Sequence, residues 1–167
     1  MRKVFLRTGL VLLALAFNGC LPGDVQLTEY QPKSKAEGEI IALINAYQDA
    51  KNRQDINRFM ACLDEQGRFS YKGAVMVSKE RLRAFLPDFW KTLQSPDRIV
   101  AYPLSHEFVT GDYYLSGRLV NPLIAINGSS ADVTVTFTSG WWRQKHFISM
   151  QRVNDRWLIN LLDWEEA

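Results

Sequence analysis

The spacing of apolar residues changes once along this chain, and the change divides it into a helical half and a strand half. Between residues 37 and 93, apolar side chains recur every three or four positions, as expected for helices with one buried face. From Ile99 onward, apolar and polar residues alternate, which is the period of a β-strand. Helices followed by strands predict an α+β fold, because a parallel α/β sheet would need the two to alternate.

Three helices are predicted in the first half. The first spans Glu37 to Gln54, and its apolar stripe consists of Ile40, Ile41, Ile44 and Tyr47. Asp55 is a suitable N-cap for a short second helix that ends by Gly67, and Ser78 is a suitable N-cap for the third. Pro87 falls inside the third helix, where its ring is expected to kink or divide it.

The strand half contains turn signals at Asn127-Gly128 and Asn154-Asp155. In the last strand, strict alternation would place Trp157, Ile159 and Leu161 on one face. A short strand is also predicted before the third helix. The seven predicted strands are Arg68–Tyr71, Ile99–Leu104, Glu107–Thr110, Tyr113–Val120, Ala131–Thr138, Lys145–Val153 and Trp157–Trp164.

Several short segments resemble one superfamily. They are Ile44-Asn45-Ala46-Tyr47, the run from Asp55 to Glu65, Arg68-Phe69-Ser70-Tyr71, and Asp155-Arg156-Trp157-Leu158-Ile159. With the order of elements, they resemble the nuclear transport factor 2-like superfamily over roughly residues 37–165. The resemblance implies a cone: N-terminal helices packed on a curved antiparallel sheet around a pocket. It supports a fold better than a function, because one fold carries many functions.

Enzymes of this superfamily place acid and base residues on the pocket wall. The ketosteroid isomerase branch carries an Asp base just after the first strand, where this chain has Tyr71 and Lys72. Scytalone-dehydratase-like chemistry needs a His with an Asp and tyrosines, and nothing in the sequence pairs His106 or His146 with a carboxylate. No catalytic residue is therefore assigned. A structural or solvent role is the alternative for each histidine.

Six residues are candidates for the pocket or for a contact surface: Tyr47, Tyr71, His106, Trp141, Trp142 and His146. Adjacent residues in a strand point to opposite faces, so at least one of Trp141 and Trp142 is expected at the surface or at an interface. Ordinary packing is the alternative. Both faces of the later strands are partly apolar, which predicts that the second face is also covered, as it is in superfamily members that dimerise.

The N-terminus has the features of an export signal. Arg2, Lys3 and Arg7 precede an apolar core of about nine residues, whereas a membrane-spanning helix needs about 20. The sequence Phe17-Asn18-Gly19-Cys20 resembles the lipobox of bacterial lipoproteins, which implies cleavage before Cys20 and acylation of that cysteine. An ordinary secretory signal, cleaved after Ala14-Leu15-Ala16, is the alternative.

The two resemblances, together with the lack of an apolar period before residue 37, predict three regions: a signal peptide at residues 1–19, a lipidated tether at 20–36 and the cone domain at 37–167. By resemblance to the lipoprotein sorting rule of diderm bacteria, Leu21 rather than Asp after the cysteine implies the periplasmic face of the outer membrane. The chain holds 20 basic and 18 acidic residues, and removing Arg2, Lys3 and Arg7 leaves 17 basic ones. That near-neutral balance gives no support for nucleic-acid binding.

No group of His and Cys residues has metal-ligand spacing, and no cofactor is predicted. Cys62 lies among apolar residues and is expected to be a buried thiol. The favoured function is a non-catalytic, membrane-anchored module that binds a small apolar ligand or a protein, as a homodimer or with an envelope partner. An enzyme of the lyase or isomerase type is the alternative. A structural subunit that docks through Trp141 and Trp142 is the third hypothesis.

Overall fold

The computed structural model describes residues 23–71, 75–93, 99–101, 108–110, 116–140 and 142–166. In this part of the chain the elements are α1 (Lys35–Asn52), α2 (Ile56–Ala61), β1 (Leu63–Tyr71), β2 (Val75–Val77), α3 (Lys79–Leu93), β3 (Ile99–Ala101), β4 (Phe108–Thr110), β5 (Arg118–Asn127), β6 (Ser130–Ser139), β7 (Trp142–Val153) and β8 (Arg156–Glu166). The predicted signal peptide, Cys20, His106 and Trp141 lie outside the described residues.

Six strands form one curved sheet in the order β2-β1-β8-β7-β6-β5, and β3 and β4 form a separate antiparallel pair. The α+β prediction is confirmed, but the sheet is mixed and not wholly antiparallel. Strand β1 pairs in parallel with β8, with Leu63 opposite Ile159, whereas the other pairs are antiparallel. This pairing joins strands from opposite ends of the domain, so local periodicity could not reveal it.

Capping side chains set the helix starts. Ser34 caps α1 by accepting a hydrogen bond from the Glu37 N–H at 3.1 Å, so α1 begins two residues before the predicted start. The predicted caps Asp55 and Ser78 are confirmed by bonds from Arg58 N and Arg81 N. Helix α3 continues through Pro87 without division.

The second helix ends earlier than predicted. It stops at Ala61, and Gly67 lies inside β1. A Cβ on Gly67 would lie 2.2 Å from Cζ of Phe69 and 3.0 Å from the Asn160 carbonyl oxygen. Gly67 is therefore required for close packing within the sheet and does not act as a helix stop.

Two strands depart from the predicted pattern at bulges. The strand predicted at Tyr113–Val120 corresponds to β5, which continues past Val120 and includes Pro122. Proline has no N–H to donate, and it is tolerated here because β5 is an edge strand of the sheet. In β8 the register shifts beside Ser149 and Met150 of β7. After the shift, Leu161 is 36% exposed and Leu162 is only 4% exposed. Leu162, and not Leu161 as predicted, therefore shares the buried face with Ile159, because one extra residue changes the phase of the alternation.

Part of the segment predicted as a tether packs on the domain. Leu27 is 3% exposed and belongs to the hydrophobic core. Gln26 forms an antiparallel bridge with Val120, and Asn121 N–H donates to the Val25 carbonyl at 2.9 Å. These contacts cover a short stretch of the β5 edge, whose backbone groups would otherwise be exposed to water.

Candidate functional site inside the cone

A lysine lies on the buried face of α1. Ile40, Ile44 and Tyr47 form the predicted stripe, and Lys51 extends it by one further helical turn. The stripe packs against the concave face of the sheet, where Lys51 is only 5% exposed. It occupies the last turn of α1, where the helix dipole favours a positive charge.

Two aromatic rings of the sheet border this lysine. The Lys51 Nζ atom lies 4.5 Å from the centre of the Phe137 ring, within the range of a cation–π interaction. On its neighbouring strand, the His146 ring stacks on Phe137 with centres 5.5 Å apart and planes 7° apart. His146 is 8% exposed, so the structure places this candidate residue inside the cone. We call Lys51, Asn52, Phe137, Gln144 and His146 the Lys51 site.

Strand β5 closes one side of the site. A Cβ on Gly117 would lie 1.8 Å from Cζ of Phe137, so only glycine leaves room for that ring. Asn52 Nδ2 donates to the Gly117 carbonyl at 3.4 Å, and Leu119 N–H donates to Oε1 of Gln48. These bonds hold the end of α1 against β5 and thereby fix the position of Lys51.

Burial changes the protonation of both basic groups. It lowers the pKa of Lys51 from 10.5 to about 7, because the charged ammonium loses its hydration. Burial, followed by the positive charge of Lys51, lowers the pKa of His146 to about 3. At neutral pH the imidazole is therefore neutral, and Lys51 exchanges between its charged and neutral forms.

Two amide oxygens add acceptors to the site. Oδ1 of Asn52 and Oε1 of Gln144 are buried and accept no hydrogen bond from any residue that the structure describes. Buried polar atoms are nearly always bonded in folded proteins. Among the described residues the same exception occurs at Trp90 Nε1, Trp157 Nε1 and Asn160 Oδ1, so the two amide oxygens support a functional site only together with the buried lysine.

The other candidate residues have different outcomes. Tyr47 is buried one turn before Lys51, with its ring centre 5.0 Å from that of Phe59, so it belongs to the core beside the site. Tyr71 and Trp142 lie in β1 and β7, but their side chains are outside the described part, as are His106 and Trp141 altogether.

Four members of the site are absent from the sequence-based candidates: Lys51, Asn52, Phe137 and Gln144. The sequence did contain a signal that Lys51 lies on the buried face of the helix, because this basic residue continues the apolar stripe at the same helical spacing, at positions 40, 44, 47 and 51. The usual interpretation is a long side chain that reaches water at a helix end. Only the position of the sheet over this turn excludes that interpretation.

The structure also bears on the other predicted chemistry. No group of His, Cys, Asp or Glu among the described residues could hold a metal ion. Cys62 is 5% exposed, and burial raises the pKa of its thiol, which confirms the prediction of a buried thiol. No described helix is long and apolar enough to cross a membrane.

Comparisons with known proteins bear on the fold. No family model matches the chain, and no curated protein matches its sequence. A solved protein of unknown function with a cystatin-like fold, from Nostoc punctiforme, is 15% identical with a TM-score of 0.59, covering 82% of this chain and 96% of its own. An NTF2-like protein from Cytophaga hutchinsonii is 10% identical with a TM-score of 0.56, covering 80% and 99%.

A second NTF2-like protein, from Shewanella baltica, agrees: it is 10% identical with a TM-score of 0.55, covering 83% of this chain and 98% of its own. The chain has the nuclear transport factor 2-like fold. At such identities the similarity establishes the fold alone, and the Shewanella protein is itself of unknown function. The function must therefore be argued from the site.

Proposed function

We propose that this protein is a membrane-anchored lipoprotein whose cone domain binds a small ligand that has an apolar body and an anionic group such as a carboxylate. One observation carries the binding proposal: Lys51 Nζ lies inside the cone, 4.5 Å from the centre of the Phe137 ring. A cation in a poorly hydrated interior attracts an anion far more strongly than one in water does. The stacked rings of Phe137 and His146 would contact the apolar body.

The amide groups add a second element of recognition. Asn52 Oδ1 and Gln144 Oε1 are acceptors, so a ligand with a hydroxyl beside its anionic group would satisfy them. Most ligand sites combine apolar walls with a few polar groups in this way. A hydroxy acid is therefore expected to bind more tightly than the same acid without the hydroxyl.

Calorimetric titration with 2-naphthoic acid and its neutral counterpart 2-naphthalenemethanol tests the binding proposal. We expect the acid to bind and the alcohol to bind at least tenfold more weakly. Lys51→Met should remove the difference, while the matched control Lys35→Met, on the exposed side of the same helix, should keep it. Equal affinity for acid and alcohol in the unaltered protein would count against the proposal.

The affinity should also depend on pH. Because the pKa of Lys51 is about 7, most of the lysine is neutral at higher pH. An anion that requires the charged lysine can then bind only if Lys51 takes up a proton at the same time. The affinity for 2-naphthoate should fall by up to about tenfold per pH unit above pH 7. Lys51→Met should show no such dependence.

The anchor is proposed from the sequence Phe17-Asn18-Gly19-Cys20. Metabolic labelling with palmitate tests it: Cys20→Ser should abolish incorporation, whereas Cys62→Ser, the matched control, should not. Persistent labelling of the Cys20→Ser protein would exclude a lipid at this position. The expected location is the periplasmic face of the outer membrane, which membrane fractionation would check.

Catalysis is a second candidate, favoured by the same pKa. A lysine with a pKa of about 7 is partly neutral at pH 7 and could remove a proton from a bound substrate, as a lyase or isomerase requires. Lys51→Arg separates the candidates, because arginine keeps the positive charge but cannot act as a base at this pH. Retained 2-naphthoate binding by the Arg variant supports the binding role of the charge.

A further inference from the structure

The N-terminal segment is fixed at one point of the domain surface. Asp24 accepts two hydrogen bonds from Arg143, at 3.0 and 2.6 Å, and a third from Asn121 Nδ2 at 2.8 Å. Asn121 Oδ1 in turn accepts from Val25 N–H at 2.8 Å. We call Asp24, Asn121 and Arg143 the latch. It holds the chain against β5, at the edge of the six-stranded sheet.

The latch lies close to the proposed lipid. Four residue steps separate Cys20 from Asp24, and a fully extended chain covers at most about 14 Å in that distance. This reach is no longer than the radius of gyration of a domain of this size, about 14 Å. The side of the domain opposite the latch therefore cannot contact the bilayer that holds the lipid.

That surface carries exposed apolar side chains. Among the described residues, five large hydrophobic side chains are exposed, and three of them lie next to Asp24 or follow Asn121 along β5: Val25 at 43%, Leu123 at 71% and Ile126 at 38%. Leu123 lies opposite Thr134 and Ile126 opposite Ala131, so they occupy the two faces of β5 and flank its outer edge.

The direction of the chain agrees with this placement. Because Gln26 pairs antiparallel with Val120, the residues before Gln26 run alongside the residues that follow Val120. Gly23 and Asp24, the first described residues, therefore lie on the side of Gln26 towards Leu123. Apolar side chains on both sides of the edge at which a lipidated chain would leave the domain are suited to the interface between headgroups and acyl chains.

We propose that the β5 edge, with Leu123, Ile126 and Val25, is the surface on which this domain rests on the phospholipid bilayer. The proposal rests on the lipid anchor at Cys20 proposed above. It commits to lipid as the occupant; a second copy of the chain or an envelope protein at the same edge would contradict it.

Photocrosslinking on vesicles of phosphatidylethanolamine and phosphatidylglycerol tests the surface. A diazirine amino acid replaces Leu123 in the full lipidated protein, and the matched control carries it in place of the exposed Glu80 on α3. Helix α3 packs beside β1, near the opposite edge of the sheet. We expect a phospholipid adduct, detected by mass spectrometry, at least tenfold more abundant at position 123 than at position 80.

The outcomes are distinguishable. A protein adduct at position 123, or equal lipid adducts at both positions, would overturn the proposal. The mass of the N-terminal peptide tests the anchor separately. If Cys20 carries no lipid, the same two proteins are attached to vesicles through a maleimide lipid at Cys20, since the thiol of Cys62 is buried. An adduct confined to position 123 then supports the bilayer-facing surface, although the natural anchor has failed. If no adduct forms at position 123, the proposed surface is overturned as well as the proposed anchor.

Discussion

Arg143 donates two hydrogen bonds to Asp24, a residue 119 positions earlier in the chain, one from each terminal nitrogen. The two parallel bonds fit the planar guanidinium group to the two carboxylate oxygens, a geometry that lysine cannot reproduce. Through this pair, a segment that has no apolar period becomes part of the domain surface.

Weakening the latch should release this segment. Asp24→Asn removes the charge of the pair, and a partly exposed ion pair of this kind contributes about 1 kcal/mol. Tryptic cleavage after the exposed Lys33 should therefore accelerate about fivefold. The isosteric control Asp155→Asn, whose side chain is 99% exposed, should cleave at the original rate. Equal rates in all three proteins would show that the pair does not hold the segment.

Acid should weaken the latch as well. Hydrogen bonds from Arg143 and Asn121 hold the pKa of Asp24 below its usual value. The stabilisation is complete above the unfolded-state pKa of about 4 and is lost as the pH falls through the lower folded value. Hydrogen exchange of the Val25 N–H, corrected for its intrinsic pH dependence, should show protection at pH 6 that decreases below pH 4. Unchanged protection at pH 2.5 would contradict this.

Replacing the buried lysine should stabilise the domain while removing the anion binding proposed for it. Lys51→Met keeps a long side chain but removes an ammonium whose burial lowers its pKa to about 7. We expect the free energy of unfolding to rise by about 1–4 kcal/mol, the range seen when buried charged groups are replaced together with their charged partners by apolar side chains. Urea unfolding at pH 6, where Lys51 is charged, measures the gain, with Lys35→Met as control. A loss of several kcal/mol would show that Lys51 contributes net stabilisation.

The same lysine should make stability depend on pH. Between its folded pKa of about 7 and its unfolded pKa near 10.5, the unfolded chain binds one more proton than the native one. The free energy of unfolding should therefore rise from pH 7.5 to 9.5 by roughly 1 kcal/mol per pH unit. Parallel urea titrations should show that Lys51→Met lacks this rise. An identical rise in both proteins would assign it to other groups.

Filling the space at Gly117 should disturb both the fold and the site. Gly117→Ala places a methyl group where the Phe137 ring lies, and overpacking of this kind costs about 1–3 kcal/mol. In the control Gly38→Ala the nearest contact of the new Cβ is 3.9 Å, in the interior of α1, so the free energy of unfolding should rise by about 0.5–1 kcal/mol. Urea unfolding compares the two, and destabilisation of both alike would refute the role assigned to Gly117.

Local chemistry accounts for what could be predicted from the sequence. Asp55 and Ser78 cap helices as expected, because capping depends on a side chain and a backbone N–H three residues away. The Asn154-Asp155 turn is also confirmed, and both residues have positive φ angles of 48° and 60°, as a two-residue hairpin turn requires. His146 was a candidate because chemistry of the scytalone-dehydratase type needs a histidine, but its neighbours could not be named.

The sequence by itself determined the change from helices to strands, the Asp55 and Ser78 caps, the Asn154-Asp155 turn and the α+β class, because each depends on residues a few positions apart. The tertiary structure decided the parallel pairing of β1 with β8, the latch between Asp24 and Arg143 and the burial of Lys51. Each of these joins segments that are distant along the chain. Lys51 shows the reason: the same side chain at a helix end is solvated or buried according to whether a strand some 85 residues later covers it.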